Sequence, residues 1–272
     1  MNWLEELKVV IFDLDGTLYQ DDAFLGRYLS YMLDDTLTEA EIADLVMEAY
    51  DILDGSHSVP FGSFFDRQQH FIYEHEKFVP TASFTWDGMK CEPPGADASS
   101  LLFIGDVWCV AHVYAEKYKL PTEKRASAFE KVRYEMIAQP YGIQRHSSLF
   151  ESIEAMDVER KIFMTNTPGA TGPAFVHYLN IGSLFDEYVF DAKKPVGMEK
   201  VVKSLMEEGY EPHEILSVGD NPFNDLAPVK KLGGRTCLIS PYTHFGQHEW
   251  DGTVKTVDEL AVFLRHPSTV KM

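Results

Sequence analysis

The chain of 272 residues carries 24 basic and 43 acidic side chains, a formal charge of −19. So acidic a surface weighs against nucleic acid or an anionic membrane as partners, but small phosphorylated substrates stay open wherever a metal and a few lysines reverse the field in one cleft. The acidic amino terminus does not read as a signal peptide, and no segment has the length of a membrane span. The three widely spaced cysteines, Cys91, Cys109 and Cys237, predict reduced thiols in a cytoplasmic protein.

Residues 9–18, Val-Val-Ile-Phe-Asp-Leu-Asp-Gly-Thr-Leu, begin as a buried strand and end in two aspartates on one side of an extended backbone. Asp13 and Asp15 can therefore converge at a strand's carboxyl end, where open α/β sheets place their ligands. Gly16 permits a sharp turn, and the Thr17 hydroxyl can tie it down. Asp15-Gly16 between apolar residues is also a hairpin signal. Partner motifs downstream decide between the two readings.

Residues 21–144 read as a mainly helical insert. Thr38-Glu-Ala-Glu41 is a capping box, followed by Ile42, Leu45, Val46, Ala49 and Leu53 at helical spacing. Further helices are predicted near 61–77, 102–118 and 122–138. An irregular insertion spans about 79–106, with a hairpin expected on Asp87-Gly88 and a loop at Pro93-Pro94-Gly95. Cys109, His112 and the aromatic residues Trp86, Trp108, Tyr114, Tyr118 and Tyr134 read as packing of that insert rather than a pocket lining.

From about residue 145, apolar runs at 161–164, 187–190, 215–218 and 235–239 alternate with helical patterns at 197–208 and 222–232. The fold class that follows is α/β, with a doubly wound, Rossmann-like parallel sheet that the first strand must join. The expected domains are a core of 1–20 and 145–272 and an insert of 21–144. Three later strand ends carry functional groups. Thr165-Asn166-Thr167 offers a hydroxyl, an amide and free N–H groups for an anion, or else an ordinary turn. Pro195 holds Lys194 extended and able to point inward. Asp220 and Asp225 flank a helix start and supply hard oxygen ligands for magnesium, or else Asp220 or Asn221 caps that helix. His244 and His248 are four apart, but Gly246 and the lack of a third ligand argue against zinc.

In order along the chain, an acid pair, a hydroxyl, a lysine and a second acid pair, each at a predicted strand end, resemble the haloacid dehalogenase superfamily of phosphohydrolases. The resemblance covers residues 9–20 and about 145–240, and the insert looks like that superfamily's C1-type helical cap, which covers the active site. It implies Asp13 as nucleophile, forming an aspartyl-phosphate, and Asp15 as general acid and base. It implies Mg2+ held by Asp13, the main-chain carbonyl of Asp15, and Asp220, with Asp225 at or behind the coordinated water. Thr165, the Asn166 backbone and Lys194, chosen over Lys193 because it directly precedes the proline, would bind the phosphoryl group. Family dehalogenases lack an acid at the position of Asp15, so Asp15 argues for phosphoryl transfer. Neither Lys77 nor Lys90 is marked as the imine-forming lysine of family phosphonatases.

The Asp-Gly-Thr-Leu-Tyr19 ending resembles sugar-phosphate phosphatases, phosphoglycolate phosphatases and pyrimidine 5′-nucleotidases. The expectation is a magnesium-dependent phosphatase, monomer or homodimer, acting on a small phosphomonoester. A phosphomutase, or a non-catalytic binding protein on the same fold, is the rival.

Overall fold

The computed structural model describes residues 3–92, 95, 97–246 and 249–265. In chain order, β1 (Val9–Phe12) is followed by α1 (Phe24–Leu33), α2 (Glu39–Asp54), β2 (Phe64–Asp66), β3 (Ile72–Glu76), β4 (Val79–Phe84), β5 (Lys90–Cys91) and β6 (Leu101–Phe103). Then come α3 (Val107–Lys117), α4 (Thr122–Glu135), α5 (Ser147–Glu154), β7 (Arg160–Met164), α6 (Gly172–Leu179), β8 (Glu187–Val189) and α7 (Val196–Glu207). The chain continues through β9 (Ile215–Gly219), a π-helical turn at Pro222–Leu226, α8 (Ala227–Lys231), β10 (Arg235–Ile239), β11 (Gly252–Val254) and α9 (Val257–Arg265). No helix among the described residues is long and apolar enough to cross a membrane.

Two compact units form. The first takes Met1–Asp21, Tyr141–Pro241 and Glu249–Met272. Its six-stranded sheet has the order β11-β10-β9-β1-β7-β8, all pairs parallel. β1 lies in the middle, between β7 and β9, and all four of its residues are fully buried. A strand covered on both faces needs apolar residues at every position, which accounts for the unbroken Val-Val-Ile-Phe run. On one face Val9, Ile11, Ile162, Met164 and Ile215 pack with Met198, Val202 and Leu205 of α7 and Val229 of α8. On the other, Phe185 meets Phe12 at 5.8 Å and Phe163 at 5.7 Å between ring centroids. Burial of each such side chain stabilises the unit by about 1.5–3 kcal/mol, so the sheet centre is a rigid platform for the residues that follow each strand.

The second unit takes Asp22–Pro140 and Tyr242–His248. It holds α1–α4 and a five-stranded antiparallel sheet of order β5-β4-β3-β2-β6. The capping box at Thr38 forms as the sequence implies, with the Glu41 N–H on Thr38 Oγ1 and the Thr38 N–H on Glu41. A hairpin also forms on Asp87-Gly88, joining β4 to β5 with Ser83 opposite Cys91. The helix expected at 61–77 does not form: that stretch is β2 and β3, with Phe64 opposite Tyr73 and Phe65 opposite Ile72. Aromatic and β-branched residues at these positions favour cross-strand pairing over a helix. The helix expected from 102 starts only at Val107, where Asp106 caps it through the Cys109 N–H, and residues 101–103 are strand β6.

Residues 242–246 group with the second unit rather than the core. The Phe245 N–H donates to Phe61 O at 2.6 Å, and His244 Nε2 sits 2.8 Å from Gly105 O. That bond gives His244 a packing role; His248, Pro93 and Pro94 lie outside the described residues. Tyr114 and Cys109 are buried and Trp108 stacks on Phe24 at 4.0 Å, whereas Tyr118 and Tyr134 are exposed, so only part of the expected aromatic core is core. Lys77 and Lys90 lie on the surface.

Candidate active site

Every residue singled out at a strand end lies in the first unit, beyond the carboxyl ends of β1, β7, β8 and β9. Asp13 directly follows β1, and its N–H donates to Val218 O at 3.0 Å, so the next strand fixes its main chain. The chain then turns: the Thr17 and Leu18 N–H groups both donate to Leu14 O, and Gly16 adopts φ +75°. A Cβ on Gly16 would stand 2.1 Å from Asp220 Oδ2, so glycine is required there both for conformation and for space. The Thr17 hydroxyl reaches Asp13 Oδ2 at 3.4 Å.

After β7, the Thr165 N–H is held by Val189 O of β8, and Thr165 Oγ1 accepts the Thr167 N–H at 3.0 Å. With a lone pair so used, the Thr165 hydroxyl keeps its proton for an incoming acceptor. The exposed Asn166 uses its side-chain oxygen to accept the Lys194 N–H at 2.8 Å, tying the loop after β7 to the loop after β8. A second tie joins the same loops: the Gly169 N–H donates to Asp191 Oδ2 at 2.6 Å.

Lys194, not Lys193, turns inward. Lys193 is exposed, whereas the Lys194 side chain is 2 % exposed and places Nζ 2.6 Å from both Asp13 Oδ1 and Asp225 Oδ1. Asp225 is buried, with Oδ2 accepting the Asn221 N–H at 3.0 Å and its carbonyl accepting the Ser217 hydroxyl at 2.9 Å. The Asp220–Asp225 segment combines a helix cap with a cluster of carboxyl groups. Asn221 caps the π-helical turn through the Phe223 and Asn224 N–H groups, while Asp220 joins Asp13 and Asp225 in a cluster whose ligand oxygens lie within 4.8 Å of one another. Gly219 makes room for it, since a Cβ there would stand 2.4 Å from Asp225 Oδ2.

The electrostatics follow from this crowding. Burial pushes the Asp13 carboxyl up to about 8; Lys194 opposes the rise, and Asp225 and Asp15 add to it. Burial alone would lower the proton affinity of Lys194, but Asp13 and Asp225 outweigh it and hold the ammonium charged. Three carboxyl groups facing one ammonium gather more hard oxygen donors than the single positive charge can satisfy. That donor set fits a divalent cation such as Mg2+.

Asp15 lies beside the cluster, its side chain turned to other partners. Its Oδ1 accepts the Tyr19 hydroxyl and its Oδ2 the Thr167 hydroxyl at 2.9 Å. The sequence reading passed over these two partners, although a tyrosine four residues after Asp15 and a second hydroxyl in Thr165-Asn166-Thr167 were both visible.

No curated protein sequence matches the chain. Solved structures of similar fold include a predicted phosphoglycolate phosphatase from Haemophilus somnus (TM-score 0.55, 16 % identity, 96 % of this chain and 97 % of that one). A HAD-type protein from Bacillus subtilis, solved bound to magnesium, follows at TM-score 0.52 and 14 % identity, covering 95 % and 98 %. The L-2-haloacid dehalogenase RSc1362 also gives 0.52 and 14 %, covering 95 % and 99 %. The family model for haloacid dehalogenase-like hydrolases matches residues 7–233, a span that holds β1 and every strand-end group above, and the chain belongs to that family.

Proposed function

We propose that this hydrolase is a magnesium-dependent phosphatase of small phosphomonoesters, working through a phosphorylated Asp13. The observation that carries the reading is the Lys194 ammonium set between Asp13 and Asp225, with Asp220 in the same cluster and Asp15 beside it. A dehalogenase expels a halide that needs no proton. An alcohol leaving from phosphorus does need one, and Asp15 would be the acid that gives it.

In the first step an Asp13 oxygen attacks phosphorus as the P–O bond to the alcohol breaks, and the departing oxygen takes a proton from Asp15. In the second, Asp15 takes a proton from water as that water attacks the phosphorus on Asp13, restoring both carboxyl groups and freeing phosphate. The Thr165 hydroxyl, the Asn166 N–H and Lys194 would hold the transferring oxygens, where negative charge must be stabilised. Asp13, Asp220 and Asp225, with the main-chain carbonyl of Asp15, would hold Mg2+, which when bound offsets charge between the carboxylates and the phosphoryl group.

The test is hydrolysis of p-nitrophenyl phosphate with Mg2+ or with EDTA, in wild type and Asp13→Asn. Turnover that needs Mg2+ and vanishes in Asp13→Asn is expected. Equal turnover by both proteins would sink the mechanism.

A further inference from the structure

Asp15 is half-buried, and both of its oxygens are held by buried hydroxyls that the mechanism above does not use. Tyr19 is 1 % exposed, with its ring stacked on Phe175 at 6.2 Å. Thr167 is also buried. Each donor is rigidly mounted. The Tyr19 main chain is bridged to that of Asp15 across the turn. Thr167 is fixed by its own N–H on Thr165 Oγ1 and by the Asp191 N–H on its carbonyl, each at 3.0 Å. An aspartate's χ2 is broad, so one hydrogen bond leaves the carboxyl plane free to swing. Two donors on different oxygens, one 4 and the other 152 residues along the chain from Asp15, fix both the side-chain direction and the plane.

We propose that Tyr19 and Thr167 are positioning residues: together they aim the Asp15 carboxyl group at the leaving oxygen of a phosphomonoester. The inference rests on the phosphatase reading and on Asp15 as its general acid. In the step concerned, the Asp13–phosphorus bond forms, the phosphorus–alcohol bond breaks, and the leaving oxygen takes the Asp15 proton. Each carboxylate oxygen has a second lone-pair direction beyond the hydroxyl it already meets, so the clamp and the substrate can be served at once.

Proton delivery matters in proportion to the basicity of the leaving group. Nitrophenolate departs with little help, so p-nitrophenyl phosphate reports mainly the attack by Asp13. Phenol holds its proton to about pH 10, as tyrosine does, so phenyl phosphate reports attack and proton delivery together. Correct general-acid placement contributes about 10²–10⁴-fold, and a misaimed acid forfeits part of this.

The experiment measures kcat and KM on both esters in the magnesium-loaded wild type, Tyr19→Phe, Thr167→Val, the double variant and Asp15→Asn. Phenylalanine keeps the ring on Phe175, and valine keeps the shape of Thr167. The expected result is that the phenyl to p-nitrophenyl kcat ratio falls about 10-fold in each single variant. It should fall further in the double variant, toward the ratio of Asp15→Asn. Equal losses on both esters would mark a structural role and overturn the proposal, and so would no loss. If the ratio stays at the wild-type value in Asp15→Asn while Asp13→Asn is inactive, Asp15 is not the acid and the clamp is refuted with it. A wild type that hydrolyses neither ester overturns the phosphatase reading itself.

Discussion

Replacing Lys194 by methionine keeps most of the side chain's volume but removes the charge between Asp13 and Asp225. Both carboxylates stay buried, with oxygens within 4.8 Å. At that distance and an effective dielectric of about 20, ionising both would cost about 3.5 kcal/mol, so Asp13, which Lys194 no longer holds down, takes up a proton at pH 7. Breaking a buried ion pair from one side costs about 3–5 kcal/mol in other proteins, and the lower part of that range is expected here because Asp13 can take a proton. For a unit of this size the loss corresponds to a fall in melting temperature of about 7–14 °C. Thermal unfolding followed by near-ultraviolet circular dichroism at pH 7 in EDTA measures it. Mg2+ should then raise the variant's melting temperature more than the wild type's, because no ammonium competes with the cation for the oxygens of Asp13 and Asp225. A variant that melts within about 2 °C of wild type in EDTA, or equal Mg2+ shifts in both proteins, would refute the charge balance drawn here.

Gly16→Ala places a Cβ 2.1 Å from Asp220 Oδ2 at a φ of +75°. Magnesium affinity by isothermal calorimetry should drop at least about 10-fold, and an unchanged affinity would show that Asp220 is not a ligand. In the second unit, His75 Nδ1 accepts the Phe78 N–H at 3.2 Å, so Nε2 is the protonated nitrogen and donates to Gly62 O at 2.8 Å. Burial holds its proton affinity below the ordinary value, with the Gly62 bond opposing only in part. Its contribution is therefore complete above about pH 6.5 and is lost as pH falls below that toward the depressed folded value, where the unfolded chain binds a proton the folded one refuses. Stability measured from pH 7.5 to 5 should fall more steeply in wild type than in His75→Gln, and parallel slopes would exclude His75 as the cause. Trp86 donates to Glu48 at 2.6 Å and carries the Lys117 ammonium 3.3 Å above its ring. Trp86→Ala should destabilise the second unit by about 3 kcal/mol in a denaturant titration, and a loss below about 1 kcal/mol would mean the hairpin is not anchored through it.

Much of the first unit was legible in the sequence because a parallel sheet buried on both faces writes itself as short apolar runs. The runs at 9–12, 161–164, 215–218 and 235–239 each match a strand to within a residue at either end. The second unit was harder to read. Its antiparallel strands β2 and β3 carry Phe64, Phe65, Ile72 and Tyr73 close together, and over so short a stretch a helix and a half-buried strand share one pattern. What fixes them as strands is pairing with β6 and β4, which sets Phe65 opposite Leu102 and Ile72 opposite Phe84.

At the site, the sequence by itself determined which chemical groups stand at strand ends, since a turn after a buried strand has few places to put a charge. Asp13, Asp15, Thr165, Lys194, Asp220 and Asp225 were all named from that logic. Only the tertiary structure decided how they are shared out. Lys194 bridges Asp13 and Asp225, Asp220 completes the cluster, and Asp15 is drawn aside by Tyr19 and Thr167. Those pairings join residues up to 181 positions apart. No local pattern encodes such distances; they are set by the sheet order, which brings the ends of β9, β1, β7 and β8 side by side.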